Sequence, residues 1–260
     1  MNIAVIIPAA GKSNRFGSKD KLAEDLGGRP LLLRTVEFFT KREDVQEIIV
    51  AGPENDFPAF QERFGPSLAF HAVIIAKGGS TRSITVKNAL SKVSETIDIV
   101  VVHDAARPAI TNALFDALLV ACATFPAVAP ALPINGTLKR TRSKAESVVD
   151  EDAIADSILG ADSQTSIKAF KVEETVDRST LREIQTPQCF ELSLLKRAYS
   201  KDDIENCTDD AQVVEKIGEA VYLINGDSRN IKVTTLEDFK LVKAILGLKG
   251  KTERPAHKRF

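Results

Sequence analysis

The chain has 260 residues, with 35 Lys and Arg against 36 Asp and Glu, a formal net charge of −1. At 43% hydrophobic and 27% charged residues it can bury a full core, which excludes wholesale disorder. The balanced charge excludes a protein that coats nucleic acid through its whole surface, and a membrane span is not expected from any segment. Cys122, Cys189 and Cys207 are far apart and odd in number, with no CxxC and no Cys/His zinc spacing. Neither a disulfide scaffold nor a structural zinc site is expected, and a reduced cytoplasm is the simplest compartment. The opening residues Met1–Ser13 lack a basic n-region and do not read as a signal peptide.

In chain order, short β-branched apolar runs predict strands over Ile3–Pro8, Glu47–Ala51, Phe70–Ile75, Ile97–His103 and Ala127–Ala131. Amphipathic stretches lie between them. Pro30 suits a first helical position, after which Leu32, Thr35, Val36 and Phe39 share a face. Val86, Ala89, Leu90 and Val93 repeat that spacing. Thr111 can cap a helix striped by Leu114, Phe115, Leu118, Leu119 and Cys122. Strand and helix in alternation predict a three-layer α/β sheet of parallel strands with right-handed crossovers.

The alternation breaks near Pro133. From Gly136 to Val176 the chain is polar, and Thr137–Thr141 with Ile167–Val172 could pair as a ribbon around a mobile middle. A two-stranded ribbon is marginal alone, so it is expected to lean on something else, such as another subunit. Helical and strand patterns resume at Leu192–Tyr199, Ala211–Ile217, Val221–Ile224 and Leu236–Leu246, with Thr234 and Glu237 as a capping box. Residues 1–248 therefore read as a single domain with 137–176 as an inserted arm, followed by a basic tail over 249–260, expected to fray.

Four groups of residues could carry chemistry. Pro8-Ala9-Ala10-Gly11-Lys12-Ser13-Asn14-Arg15-Phe16-Gly17 follows the first strand, where small residues let a ligand approach backbone amides. It is not a P-loop, since Ile6 stands where that motif needs glycine. Nor is it a dinucleotide fingerprint, since Ser13 and Phe16 replace the second and third glycines. Arg15 and Lys21 then lie at the carboxyl edge of the sheet, where open α/β sheets bind ligands. His103-Asp104-Ala105-Ala106-Arg107-Pro108 ends the fourth strand. Asp104 could hold a sugar hydroxyl or a metal, and Arg107 could grip a phosphate or simply pair with Asp104. His103 reads as structural. Gly78-Gly79-Ser80-Thr81-Arg82 opens a helix containing Thr85, suited to an anion, a base edge or a cap. The last group is Thr175-Val176-Asp177-Arg178, Gln185-Thr186-Pro187-Gln188, Thr208-Asp209-Asp210 and Asn230-Ile231-Lys232-Val233-Thr234-Thr235.

In this order the segments resemble the 2-C-methyl-D-erythritol 4-phosphate cytidylyltransferase family, from Ile3 to about Leu246. The resemblance implies a Rossmann-like nucleotidyltransferase fold with a protruding β-arm. It also implies a homodimer joined by the arms, and Mg²⁺-dependent cytidylyl transfer from CTP to a polyol phosphate. Position by position it implies Arg15, Lys21 and Lys232 as catalytic. It implies Ala9, Ala10, Gly11, Gly79, Arg82, Thr85 and Asp104 at the nucleotide, with Asp104 also on the metal side; of the carboxylates, Asp104 is the best candidate metal ligand and Asp227 a weaker second. Arg107, Thr137, Arg178 and Thr186 are then the residues that hold the acceptor, some reaching across the dimer. Three features depart from the family pattern. Lys21 sits in Asp20-Lys21-Leu22 rather than between Pro and Gln, Gly136 replaces the usual Asp before Thr137, and the arm is long. Alternatives are a cytidylyltransferase for another polyol phosphate such as ribitol 5-phosphate, and a catalytically silent nucleotide-binding homologue. A nicotinamide-dependent oxidoreductase is disfavoured by the broken glycine fingerprint.

Overall fold

The first strand decides the architecture. In β1 (Ile3–Pro8) Ile3, Val5 and Ile7 are buried in one apolar cluster while Ala4 and Ile6 are buried in another. A strand apolar on both faces must lie between two layers of helices. The computed structural model describes residues 1–11, 16, 20–148 and 167–248. Its sheet runs β10 (Arg182–Ile184), β5 (Ala127–Pro133), β11 (Gln188–Glu191), β4 (Ile99–Val102), β1, β2 (Val45–Gly52), β3 (Ile74–Lys77), with β12 (Tyr222–Asn225) also paired to β5. The β1–β2, β1–β4, β2–β3 and β12–β5 pairs are parallel. The all-parallel expectation needs one correction: β11 runs antiparallel to both β4 and β5. It enters from the returning end of the arm rather than from a helical crossover.

Helices α1 (Leu31–Phe39), α2 (Phe57–Phe70), α4 (Asn112–Cys122) and α7 (Leu236–Ile245) bury their apolar faces in the first cluster. Helices α3 (Arg82–Leu90), α5 (Leu192–Tyr199) and α6 (Asp210–Glu215) bury theirs in the second. The three-layer α/β expectation therefore holds. Pro30 caps α1 instead of opening it. The capping box of α7 is Thr235 with Asp238, not Thr234 with Glu237. The strand expected over Phe70–Ile75 is also displaced, because α2 continues through Gly65 and Pro66 to Phe70. That helix persists because Phe60, Phe64 and Leu68, each four residues apart, all reach the core.

The chain divides into two units, residues 1–132 with 184–260, and residues 133–183. The second unit is the arm, wider than the 137–176 expected. Its β6 (Leu138–Thr141) pairs antiparallel with β9 (Val172–Val176), and β7 (Glu146–Val148) with β8 (Ile167–Ala169). The ribbon is real but its register differs from the expected pairing of Thr137–Thr141 with Ile167–Val172. Leu138 faces Val176, Lys139 faces Thr175 and Arg140 faces Glu174. The middle of the arm (149–166), Arg15 and the basic tail (249–260) lie outside the described residues.

Candidate active site

Strand order places β2 and β4 on opposite sides of β1, so the chain reverses its winding there. Loops leaving the carboxyl ends of two such strands diverge and open a crevice. A cleft of about 1020 Å³ lies there, lined by Pro8, Ala9, Ala10, Gly11, Lys21, Gly79, Arg82, Thr85, Asp104 and Lys232. Residues read separately along the sequence thus share one concavity. Asp20, Glu54, Asp56 and Arg63 also line it and were not foreseen.

Each wall has a local cause. After β1, the Ala9 amide donates to Ala51 O at 2.8 Å, holding the small-residue loop against β2. Lys21 opens a short 3₁₀ turn capped by Asp20, whose Oδ1 accepts from the Leu22 amide at 3.0 Å. The other carboxylate oxygen of Asp20 accepts from Arg63 Nη1 at 2.7 Å, tying that turn to α2. Across the cleft, Gly78 and Gly79 are required by space: a Cβ at Gly78 would meet Gly52 O at 2.4 Å, and one at Gly79 would meet Ile84 Cγ2 at 2.3 Å. The buried Thr85 hydroxyl accepts from the Gly79 amide at 3.1 Å and donates to Thr81 O at 2.8 Å. Thr85 therefore shapes the glycine turn.

Asp104 is the electrostatic centre. It is 7% exposed, with Lys232 Nζ at 3.0 Å, Arg107 Nε at 3.2 Å and Arg82 Nη2 at 3.7 Å. Burial opposes its charge, but Lys232, Arg82 and Arg107 more than offset this and hold the carboxyl far below the usual carboxylate range. Lys232 reaches it because the next residue is pinned, the Val233 amide donating to Ala106 O at 2.8 Å. The Asp104 amide donates to Thr186 Oγ1, and the Thr186 hydroxyl lies 3.2 Å from His103 Nδ1. His103 Nε2 lies 3.0 Å from Arg107 O, a group that can only accept. The imidazole therefore carries its proton on Nε2, and Nδ1 accepts from Thr186. Burial pushes the His103 pKa down to about 4, so the ring is neutral and structural, as expected.

Two residues assigned to the acceptor lie behind the cleft lining. Arg107 is buried, with Nε on Asp104 and Nη1 donating to Asn230 O at 2.7 Å, and does not line the cleft. Thr186 is likewise buried behind Asp104, where it orients the loop. Thr137 and Arg178 belong to the arm, where the Arg178 guanidinium donates to Asn135 O.

A metal cage is absent among the described residues, since no three His, Cys, Asp or Glu side chains converge. Asp227 does not line the cleft, because its carboxylate is taken by Arg229 and the Thr111 hydroxyl. Asp104 alone is still a donor set that fits Mg²⁺, which is commonly held by one or two carboxylates plus substrate phosphates and water. No helix among the described residues is long and apolar enough to cross a membrane.

The model of the 2-C-methyl-D-erythritol 4-phosphate cytidylyltransferase family matches residues 3–153 and 142–248. The chain belongs to that family. A cytidylyltransferase of this name from Rhodopirellula baltica is 32% identical over 257 residues, covering 94% of this chain and 95% of its own. One from Bacillus mycoides is 35% identical, covering 95% and 99%. The crystal structure of the Thermus thermophilus cytidylyltransferase superposes with a TM-score of 0.71 at 28% identity, over 95% of this chain and 100% of that one. The mixed sheet is accordingly the Rossmann-like nucleotidyltransferase fold of these cytidylyltransferases.

Proposed function

We propose that this chain transfers the cytidylyl group of CTP to 2-C-methyl-D-erythritol 4-phosphate and releases pyrophosphate, a step of non-mevalonate isoprenoid precursor synthesis. The observation that carries this reading is the cation-rich cleft at the β1/β4 crevice, with Lys232 and Arg82 gathered on Asp104 and Lys21 on the opposite loop. The acceptor phosphate is ionised near neutral pH, so its oxygen attacks the α-phosphorus of CTP without a general base. The new bond joins that oxygen to the α-phosphorus. The bond that breaks joins the α-phosphorus to the oxygen bridging it to the β-phosphorus, and its electron pair leaves with pyrophosphate.

The obstacle is repulsion between two anions, about 4 kcal/mol for unit charges about 4 Å apart at an effective dielectric of about 20. Lys21, Lys232 and Arg15 offset this and neutralise the leaving group, while Ala9, Ala10, Gly11 and Gly79 let the nucleotide approach the backbone. Asp104 would hold Mg²⁺ together with the phosphates, which supplies further positive charge to the triphosphate. Thr137 and Arg178 of the arm are assigned to the acceptor of a partner subunit, making the working form a homodimer, and the setting is cytoplasmic.

Pyrophosphate release with four nucleoside triphosphates and several polyol phosphates tests this. CTP with methylerythritol phosphate should give the largest kcat/KM. A larger value for ribitol 5-phosphate would replace the acceptor and leave the chemistry standing. Lys21→Ala and Lys232→Ala should fold normally and lose about 10²–10³ in turnover, the usual cost of one transition-state contact. Near-normal rates would remove them from the mechanism.

A further inference from the structure

The Thr208-Asp209-Asp210 segment carries no part of the reaction as derived so far, yet its second aspartate is wholly buried beside the cleft wall. Asp210 begins α6, and its backbone amide and that of Ala211 donate to Gln188 Oε1 at 3.1 and 3.0 Å. Its side chain turns inward. Oδ1 accepts from the Tyr199 hydroxyl at 2.6 Å, and Oδ2 accepts from Arg82 Nη2 at 2.7 Å. Tyr199 is itself buried, 2% exposed, at the end of α5. Arg82 lines the cleft, and the same Nη2 stands 3.7 Å from Asp104. Its Nη1 is buried and has no hydrogen-bond partner among the described residues.

Arg82 thus stands between two carboxylates and is held by the farther one from the reaction centre. We propose that Asp210, fixed by Tyr199, is a positioning residue that restrains Arg82 at the cleft wall, so that Asp104 stays paired with Lys232 and the positive charge of Arg82 stays on the nucleotide's wall of the cleft. The inference rests on the cytidylyltransferase reading and deepens it. A buried carboxylate with two charge-assisted hydrogen bonds has little freedom to move. Without its charge, Arg82 is drawn to Asp104 and competes with Lys232 for that carboxylate. The consequence falls on CTP, not on the acceptor, because Thr137 and Arg178, the arm residues assigned to the acceptor, are untouched.

Asp210→Asn keeps the shape and an acceptor oxygen while removing the charge. Tyr199→Phe keeps the ring in the core and removes only the donor. Asp210→Asn should raise the KM for CTP about tenfold, and Tyr199→Phe about threefold, with kcat and the acceptor KM changed less than about twofold. Calorimetric titration of each variant with CTP should show the same loss in affinity, independent of turnover. Unchanged CTP affinity in Tyr199→Phe, or a fall in kcat and melting temperature with no change in CTP KM, would overturn the positioning role and leave a purely structural one. Failure of the wild-type chain to bind CTP would instead sink the functional reading, and this inference with it.

Discussion

At the residue scale, the reaction centre is ordered by a buried hydrogen-bonded network behind Asp104. His103, Thr186 and Arg107 form a continuous hydrogen-bonded backing to Asp104, from the Arg107 carbonyl through the imidazole to the Asp104 amide. That backing requires a neutral imidazole, because Nδ1 must accept from Thr186. The pH consequence follows from the sign of the shift. Unfolded His103 binds a proton below about 6.5, whereas the folded ring resists one until about 4. Between those values the unfolded state holds more protons, so stability is lost as pH falls through the window. From pH 7 to pH 5 this one group should cost about 2 kcal/mol of folding stability. Urea unfolding at both pH values measures it against His103→Gln, which removes the titration and should lose correspondingly less. Equal losses in the two proteins would refute the assignment of a neutral, buried ring.

Elements set where the phosphates can lie. Helix α3 begins at Arg82, immediately after a glycine turn that leaves no space for a Cβ, and Thr85 one turn later ties that turn to the helix. Serine at this position would keep the hydroxyl and lose only a methyl group. Thr85→Ser should therefore keep the KM for CTP within about threefold, since burying one methyl contributes only about 1 kcal/mol. Thr85→Ala leaves the Gly79 amide without its partner. It should raise that KM about tenfold, in keeping with about 1–3 kcal/mol for a buried group left unpaired. Steady-state kinetics with varied CTP distinguish the two. A full loss in Thr85→Ser would make the methyl group, not the hydroxyl, the determinant of the turn.

On the scale of the whole molecule, the arm is a unit whose described strands pair through charged and exposed side chains, including Arg140 with Glu174, and Phe170 and Val172 are left about half exposed. Such a ribbon has little apolar surface to bury by itself. The proposed homodimer gives it a function, with Arg178 serving the partner's acceptor. Lys21→Ala and Arg178→Ala chains, each inactive alone, should then regenerate activity after subunit exchange, because one site of the heterodimer is undamaged. Monomeric mass in light scattering, or no recovery on mixing, would refute the shared site.

The sequence alone determined the alternating architecture, because a strand buried on both faces and a helix with a 3.6-residue stripe leave periodic signatures that local reading detects. It also determined the cleft loops, since Pro8–Gly11, Gly78–Gly79 and His103–Asp104 each end a strand and must emerge at one edge of a parallel sheet. Tertiary structure decided what is built by distance along the chain. Arg82 meets Asp210 across 128 residues, and Asp104 meets Thr186 across 82, pairings with no periodicity to announce them. The same limit explains Arg107 and Thr186: their residue types suit a phosphate, and only packing shows Arg107 bonded to Asp104 and Asn230 O, and Thr186 to the Asp104 amide beside His103. The ribbon register was undecided for a different reason. A largely polar, exposed strand has no buried face to penalise a slip, so the alternation of its side chains selects no single pairing. Helix α2 shows the converse, a Gly65-Pro66 break signal overruled because three aromatic and aliphatic side chains on one face gain more by burial than the proline costs.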